Sequence, residues 1–167
     1  MTTMKLKKGD LFTIEISEDE FCIGQILQHT KNDIYIVVFE GVYKKPITEK
    51  NIEFVKENKP AILARTGDTF FNLKRWIIVA NKDPQDRNDY YPNYKIETLD
   101  GVFVTTFDRQ PIRKASKDEE DFYQFYNYKS PAYVVSAIKA YHGLIPMDDD
   151  YKKMTFKFVS KRTNSLN

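Results

Sequence analysis

The sequence predicts an α+β domain made mainly of antiparallel strands: a bent sheet or partly open barrel of about six to eight strands, with two helices in its C-terminal half. Two observations support this fold class. Short segments rich in β-branched and aromatic residues recur over the first two thirds of the chain, separated by polar turns, which is typical of strands joined by hairpins. Two segments with helix-capping residues follow after residue 115.

The 167-residue chain is predicted to form one domain, because no linker, repeat or low-complexity segment divides it. A chain of this length buries enough surface to have a core of its own. The predicted core spans about residues 5–160, and the polar tail at 161–167 is expected to fray.

The first predicted strands are residues 10–16 and 21–28, joined by the polar turn Ser17-Glu18-Asp19-Glu20. Gly24 interrupts the second strand, which indicates a bulge or a close approach of another group to the backbone. Residues 34–39 are all β-branched or aromatic, so they are predicted to form a central strand that is buried on both faces.

The middle of the chain gives a weaker pattern. Residues 52–55 fit either a short helix or a strand, and residues 61–64 fit a strand that follows Pro60. Residues 76–80 are apolar throughout and predict a second fully buried strand. Residues 94–98 and 102–107 predict a further strand pair that turns at Asp100-Gly101.

The first predicted helix begins at Ser116, since Ser116 and Glu119 have the spacing of a capping box. Phe122, Phe125 and Tyr126 then follow at helical spacing and would form one buried face.

The second predicted helix begins at Ser130-Pro131 and ends at Gly143. Its predicted apolar stripe contains Val134, Ala137, Ile138 and Tyr141, while Ser136, Lys139 and Ala140 are expected to face away. The alternating residues 154–158 predict a last strand.

Charge and composition exclude several function classes. The chain has 26 basic and 24 acidic residues, and its lysines are scattered, which argues against a dedicated nucleic-acid binder because such proteins carry a clustered basic face. No apolar run is long enough to span a membrane. The polar N-terminal residues do not resemble a signal peptide, and the single cysteine indicates a reducing compartment. We therefore expect a cytoplasmic protein.

The only possible nucleophile and base are Cys22 and either His29 or His142. Cys22 lies in the middle of a predicted strand, where an inert thiol is the usual case. The sequence has no zinc-binding spacing and no phosphate-binding loop, so we expect no enzyme activity, no metal and no cofactor. Asp148-Asp149-Asp150 is interpreted as a solvated loop rather than a cation site.

Two sets of residues are candidates for binding a partner. Three acidic clusters would form a negative patch that steers a basic partner if the fold gathers two of them; acids at turns and helix starts are also common without any function. The clusters are Glu18, Asp19 and Glu20; Asp118, Glu119, Glu120 and Asp121; and Asp148, Asp149 and Asp150. The second set is Tyr90, Tyr91 and Tyr94, whose rings either fill a pocket of the partner or fold back over the sheet.

Four segments resemble, in order, the immunity protein 26 family of bacterial toxin systems. They are Gly9-Asp10-Leu11-Phe12, Gly24-Gln25-Ile26, Val37-Val38-Phe39 and Trp76-Ile77-Ile78-Val79. Ala80-Asn81 departs from the family pattern, which tends to have Gly before Asn. The resemblance extends over about residues 5–145, and Pro92 and the helix ending at Gly143 are also similar.

The resemblance implies a protein that binds a toxin made by its own cell and blocks it stoichiometrically, without catalysis. The implied partner is the toxin protein, most simply its C-terminal domain, and the chain would be a monomer or a weak homodimer. The family supplies no catalytic residues. Two alternatives stay open: a small β-barrel that binds nucleic acid or cleaves RNA, of the growth-inhibitor type, and a ligand-binding enzyme whose pocket contains Cys22.

Overall fold

The computed structural model describes residues 4–163, except for the side chain of Lys56. Its larger sheet contains β1 (Asp10–Glu15), β2 (Glu20–His29), β3 (Ile34–Phe39), β4 (Tyr43–Lys44), β5 (Pro60–Thr66) and β6 (Ile77–Asn81). Its smaller sheet contains β7 (Tyr94–Thr98), β8 (Gly101–Thr105) and β9 (Pro111–Lys114). The helices are α1 (Glu49–Phe54), α2 (Thr69–Asn72), α3 (Lys117–Phe122), α4 (Pro131–Tyr141), α5 (Asp149–Lys152) and α6 (Phe156–Val159). The predicted α+β class is confirmed, and the sheet does not close into a barrel.

The larger sheet has the strand order β5-β3-β2-β1-β6, and β4 pairs with the start of β2. Every pairing in both sheets is antiparallel. The predicted first hairpin is confirmed, because Ile14 pairs with Cys22 and the turn lies at residues 16–19. The strand pair that turns at Asp100-Gly101 is also confirmed.

Side chains alternate between the two faces of the larger sheet along each strand. Both faces are covered, so each has its own core cluster. One face packs against α4, whose Val134, Ala137 and Ile138 are buried. The other face packs against Tyr90, Tyr94 and Phe107, which come from the segment after β6, from β7 and from the β8–β9 turn. β3 is buried along its whole length, as predicted for a central strand.

Gly24 lies where the ring of Phe12 crosses the backbone of β2. A Cβ atom at residue 24 would lie 2.5 Å from Cζ of Phe12. The ring is held in place by Phe71 and Trp76, with centroids 4.9 and 5.1 Å away. The close approach predicted for this glycine is therefore present.

The outer edge of β5 is covered by the C-terminal part of the chain. Lys129 N–H donates to the carbonyl of Arg65 at 2.8 Å, and Leu63 N–H donates to the carbonyl of Met154 at 3.0 Å.

Because β6 lies at the opposite edge of the sheet, the prediction that residues 76–80 form a fully buried strand was wrong. Only Trp76 is buried in that segment, and Ile77 is 54% exposed.

Two predictions about the C-terminal half were also wrong. α3 ends at Phe122, and its C-cap Tyr123 has extended backbone angles, so Phe125 and Tyr126 are outside the helix. Residues 156–159 form α6 rather than a strand, because the side chain of Thr155 caps the N–H of Phe158. Phe156 and Val159, three residues apart, then pack on one core cluster.

The boundaries of the second helix are confirmed, with Ser130 as N-cap and Gly143 in the left-handed conformation just beyond the C-cap. Ala140, expected to face away, is buried, so the buried face of α4 is wider than the predicted stripe. The tail predicted to fray is partly ordered, since residues 160–162 form a 3₁₀ turn and Arg162 donates to the carbonyl of Phe122 at 2.6 Å. Residues 164–167 lie outside the described part of the chain.

Candidate functional site

The thiol of Cys22 and the imidazole of His142 are neighbours, although 120 residues separate them. Sγ of Cys22, on β2, lies 3.6 Å from Nε2 of His142, the C-cap residue of α4. Burial, reinforced by the charge of Glu20, raises the pKa of the Cys22 thiol to about 12. Burial also lowers the pKa of His142.

Both groups are therefore held in their neutral forms at neutral pH, the opposite of the thiolate–imidazolium pair that catalytic cysteines form. His29 lies at the exposed end of β2 and belongs to a different part of the surface. None of the four cavities described for residues 4–163 is lined by Cys22 or His142. The arrangement is that of a buried structural contact.

The three acidic clusters lie on different elements. Glu18, Asp19 and Glu20 are at the β1–β2 turn, the second cluster is in the first turns of α3, and the third begins α5. Asp148 is the N-cap of α5 and accepts a hydrogen bond from Tyr151 N–H at 2.7 Å. The solvated loop expected at 148–150 is thus a capped helix start with exposed carboxylates.

Two of the three clusters contain acids that are paired with cations. Glu119 accepts two hydrogen bonds from Arg113, at 2.5 and 2.6 Å, and this contact, with the backbone N–H of Ser116, lowers the pKa of Glu119 to about 2. Asp150 lies 3.7 Å from Nζ of Lys153. Glu18 borders a groove that also contains Lys74. The second and third clusters are therefore partly neutralised by ion pairs.

The tyrosine rings after β6 fold back over the sheet, which was one of the two alternatives. Tyr90 is 1% exposed and Tyr94 9% exposed. The hydroxyl of Tyr35 donates to the carbonyl of Tyr90 at 2.5 Å, which fixes this segment on the sheet. Only Tyr91 is half-buried, with its ring 5.0 Å from that of Phe107. The rings of Tyr90 and Tyr94 are consequently part of the core rather than of a free surface.

Arg65, near the end of β5, lies in an aromatic cage between the two sheets. Its guanidinium carbon is 4.2 Å from the centroid of Phe107 and 4.4 Å from that of Tyr126. Its Nη1 lies 3.9 Å from Oδ1 of Asp33, and its Nη2 donates to the carbonyl of Phe107 at 3.3 Å. Tyr126 completes the cluster by donating its hydroxyl to Asp33. This buried charge network joins the β2–β3 turn to the smaller sheet.

A second feature that the sequence analysis missed is a groove of about 500 Å³ at the end of the sheet, which we name the Trp76 groove. It lies between the β1–β2 turn, the α2–β6 turn and α4, and is lined by Glu15, Ile16, Ser17, Glu18, Phe70, Lys74, Arg75, Trp76, Val135 and Lys139. Trp76 is 1% exposed, and its Nε1–H has no hydrogen-bond acceptor among the described residues. The sequence signal that could have indicated this groove is the single tryptophan, which directly follows Lys74 and Arg75 and precedes an apolar strand.

Within residues 4–163, no group of three or more His, Cys, Asp or Glu side chains is arranged to hold a metal ion. The same residues contain no helix that is long and apolar enough to cross a membrane.

The protein is thus an α+β domain in which the thiol of Cys22 is buried and neutral. Cationic and aromatic side chains line the Trp76 groove. The family model of immunity protein 26 matches residues 7–102, more than half of the chain, and the chain belongs to this family. Comparisons with curated proteins and with solved structures found no match. Membership of this family implies a non-enzymatic role and a toxin as partner.

Proposed function

We propose that this protein binds a cognate bacterial toxin in the cytoplasm and neutralises it by covering its active site or substrate channel, without turnover. The observation that carries this proposal is the family match over residues 7–102. It is supported by the state of Cys22, whose raised pKa leaves the chain's single thiol unsuited to nucleophilic catalysis. The proposed partner is the C-terminal toxin domain of a larger protein, and the proposed oligomeric state is a monomer or weak homodimer.

The exposed acids are proposed to steer a basic toxin surface towards the protein, since complementary potentials raise association rates. Their accessibility supports this role. The exposed members are Glu18, Asp19, Asp118, Asp121, Asp148, Asp149 and Asp150. Tyr90 and Tyr94 are withdrawn from the proposed contact set because their rings are buried.

The test is co-expression with the candidate toxin, which is to be sought in the gene that neighbours the gene of this chain. Growth should be restored only when the chain is present in at least equimolar amount, because a blocking protein is consumed one for one. Purified, the two proteins should form a one-to-one complex by calorimetry, and a toxin from an unrelated system is the control. Rescue at a small fraction of the toxin concentration would contradict blockade and would indicate an enzyme.

The acidic contribution is measured by reversing one cluster at a time, for example Asp148→Lys with Asp149→Lys. The expected result is a slower association rate that depends on salt, with little change in dissociation. If every reversed cluster associates at the wild-type rate at all salt concentrations, steering by these acids is excluded.

A further inference from the structure

The Trp76 groove has an apolar floor within a polar rim, which is the anatomy of a binding hot spot. Phe70 and Trp76 pack edge to face at 5.5 Å and close the floor together with Ile16. Leu73 and Ile77, on either side of the cationic turn, are 62% and 54% exposed. Large apolar side chains at the surface beside such a groove favour contact with another protein.

The charged side chains of the groove leave it positive. Lys74, Arg75 and Lys139 line it together with Glu15 and Glu18. Glu15 is already paired with Lys45, which lies outside the groove, at 2.8 Å. The three cations that line the groove therefore outnumber its one remaining carboxylate, Glu18, and the rim is complementary to a negative ligand.

The indole of Trp76 adds a donor that the fold leaves unused. Buried N–H groups are normally hydrogen-bonded, and one without an acceptor destabilises the protein unless a ligand supplies it. Nε1–H of Trp76 has no such acceptor among residues 4–163. A carboxylate that enters the groove would balance the positive charge of the cations. By reaching the buried Nε1–H of Trp76, it would also supply the missing hydrogen-bond acceptor.

The turn that carries Lys74 and Arg75 is held by backbone hydrogen bonds within the chain. Arg75 and Trp76 both donate their backbone N–H to the carbonyl of Phe70, at 2.8 and 3.0 Å. Lys74 is held in the left-handed region at φ 56° while its N–H donates to the carbonyl of Phe71. A preorganised turn loses little entropy on binding, which favours affinity.

We propose that the Trp76 groove binds an acidic segment of the toxin, with a carboxylate beside Lys74, Arg75 and Lys139 that faces the Trp76 indole. This inference rests on the proposed function. A second copy of the chain is disfavoured as occupant, because a two-fold contact places the same cations opposite each other.

The test follows binding of the inactivated C-terminal domain of the toxin that the co-expression experiment identifies. Trp76 is the only tryptophan, so its indole N–H gives a single nitrogen-15 NMR signal that reports on the groove. This signal should shift when the toxin domain is added. Lys74→Glu combined with Lys139→Glu should weaken binding by about tenfold or more.

The matched control is Lys31→Glu with Lys117→Glu, which changes net charge equally at exposed positions outside the four cavities. It should leave the affinity within about twofold of wild type. Lys74→Gly is a second groove variant that suits the left-handed backbone, so its weaker binding cannot be attributed to misfolding.

The inference is overturned if the groove variants bind the toxin as tightly as wild type, or if the indole signal does not move at saturation. It is also overturned if the signal shifts with the protein's own concentration and the groove variants abolish a dimer, since the occupant is then a second copy. In all these cases wild-type rescue still stands. A wild-type chain that neither binds nor rescues overturns the proposed function itself.

Discussion

Arg65 and Asp33 form an ion pair within the larger sheet, with Nη1 and Oδ1 3.9 Å apart and side chains 5% and 10% exposed. Asp33 lies in the β2–β3 turn and Arg65 near the end of β5, while Phe107 and Tyr126 close over the guanidinium from the C-terminal half. Asp33 and Arg65 lie within residues 7–102, which the family model matches, whereas Phe107 and Tyr126 lie beyond them. The cluster therefore links the matched part of the chain to the C-terminal part.

Replacing Arg65 should strongly destabilise the protein. Arg65→Ala removes the cation from four aromatic rings and leaves the carboxylate of Asp33 without its paired cation. We expect the free energy of unfolding to fall by about 3 kcal/mol in urea denaturation.

Arg109→Ala is the matched control for Arg65→Ala. Arg109 also lies over the ring of Tyr126, at 4.3 Å, but it is exposed. Its loss should cost less than about 1 kcal/mol. Equal effects of the two substitutions would contradict the role of the buried cage.

The thiol of Cys22 should react slowly in the folded protein. Because its pKa is raised to about 12, almost no thiolate is present at neutral pH. Labelling with iodoacetamide, followed by mass spectrometry, should be slow for the native chain and fast in urea. Cys22→Ala should retain toxin neutralisation. Fast labelling of the native chain, together with loss of rescue by Cys22→Ala, would instead support an enzyme whose pocket contains Cys22.

Stability at alkaline pH should depend on the same thiol. The pKa of Cys22 is raised from 9.0 to about 12 on folding, so the unfolded chain loses this proton more readily. The corresponding stabilisation is fully present below pH 9 and is lost as pH rises towards 12, by at most about 1.4 kcal/mol per pH unit. In urea titrations, the advantage of wild type over Cys22→Ala should therefore shrink above pH 9. A constant difference would contradict the raised pKa.

Substitution of Gly24 should be costly because of Phe12. A Cβ at residue 24 would lie 2.5 Å from the ring, which Phe71 and Trp76 prevent from moving. Gly24→Ala should destabilise by about 1–3 kcal/mol, and adding Phe12→Leu should cost less than the sum of the two single changes.

Gly143→Ala is the control for this cycle. It introduces strain at φ 73° but meets no atom within 4 Å, so its effect should add independently to that of Phe12→Leu. Additive effects for the Gly24 pair as well would show that the ring and the glycine are not coupled.

Local sequence signals were sufficient for the first hairpin and for α4. The polar turn at 17–20 separates two apolar segments, and Ser130, Pro131 and Gly143 mark the helix ends through their backbone preferences. The same kind of signal was ambiguous at 154–158, where five alternating residues fit a strand. There the Thr155 cap and the packing of Phe156 and Val159 on the core selected a helix.

The sequence by itself determined the fold class, most strand positions and the resemblance to the family, because hydrophobic periodicity and capping act over a few neighbouring residues. Only the tertiary structure decided that residues 77–81 lie at an edge, that Tyr90 and Tyr94 turn inward, and that Cys22 meets His142. It also assembled the Trp76 groove from the β1–β2 turn, the α2–β6 turn and α4. Such arrangements depend on which distant segments pack together to bury apolar surface, and no local pattern specifies that choice.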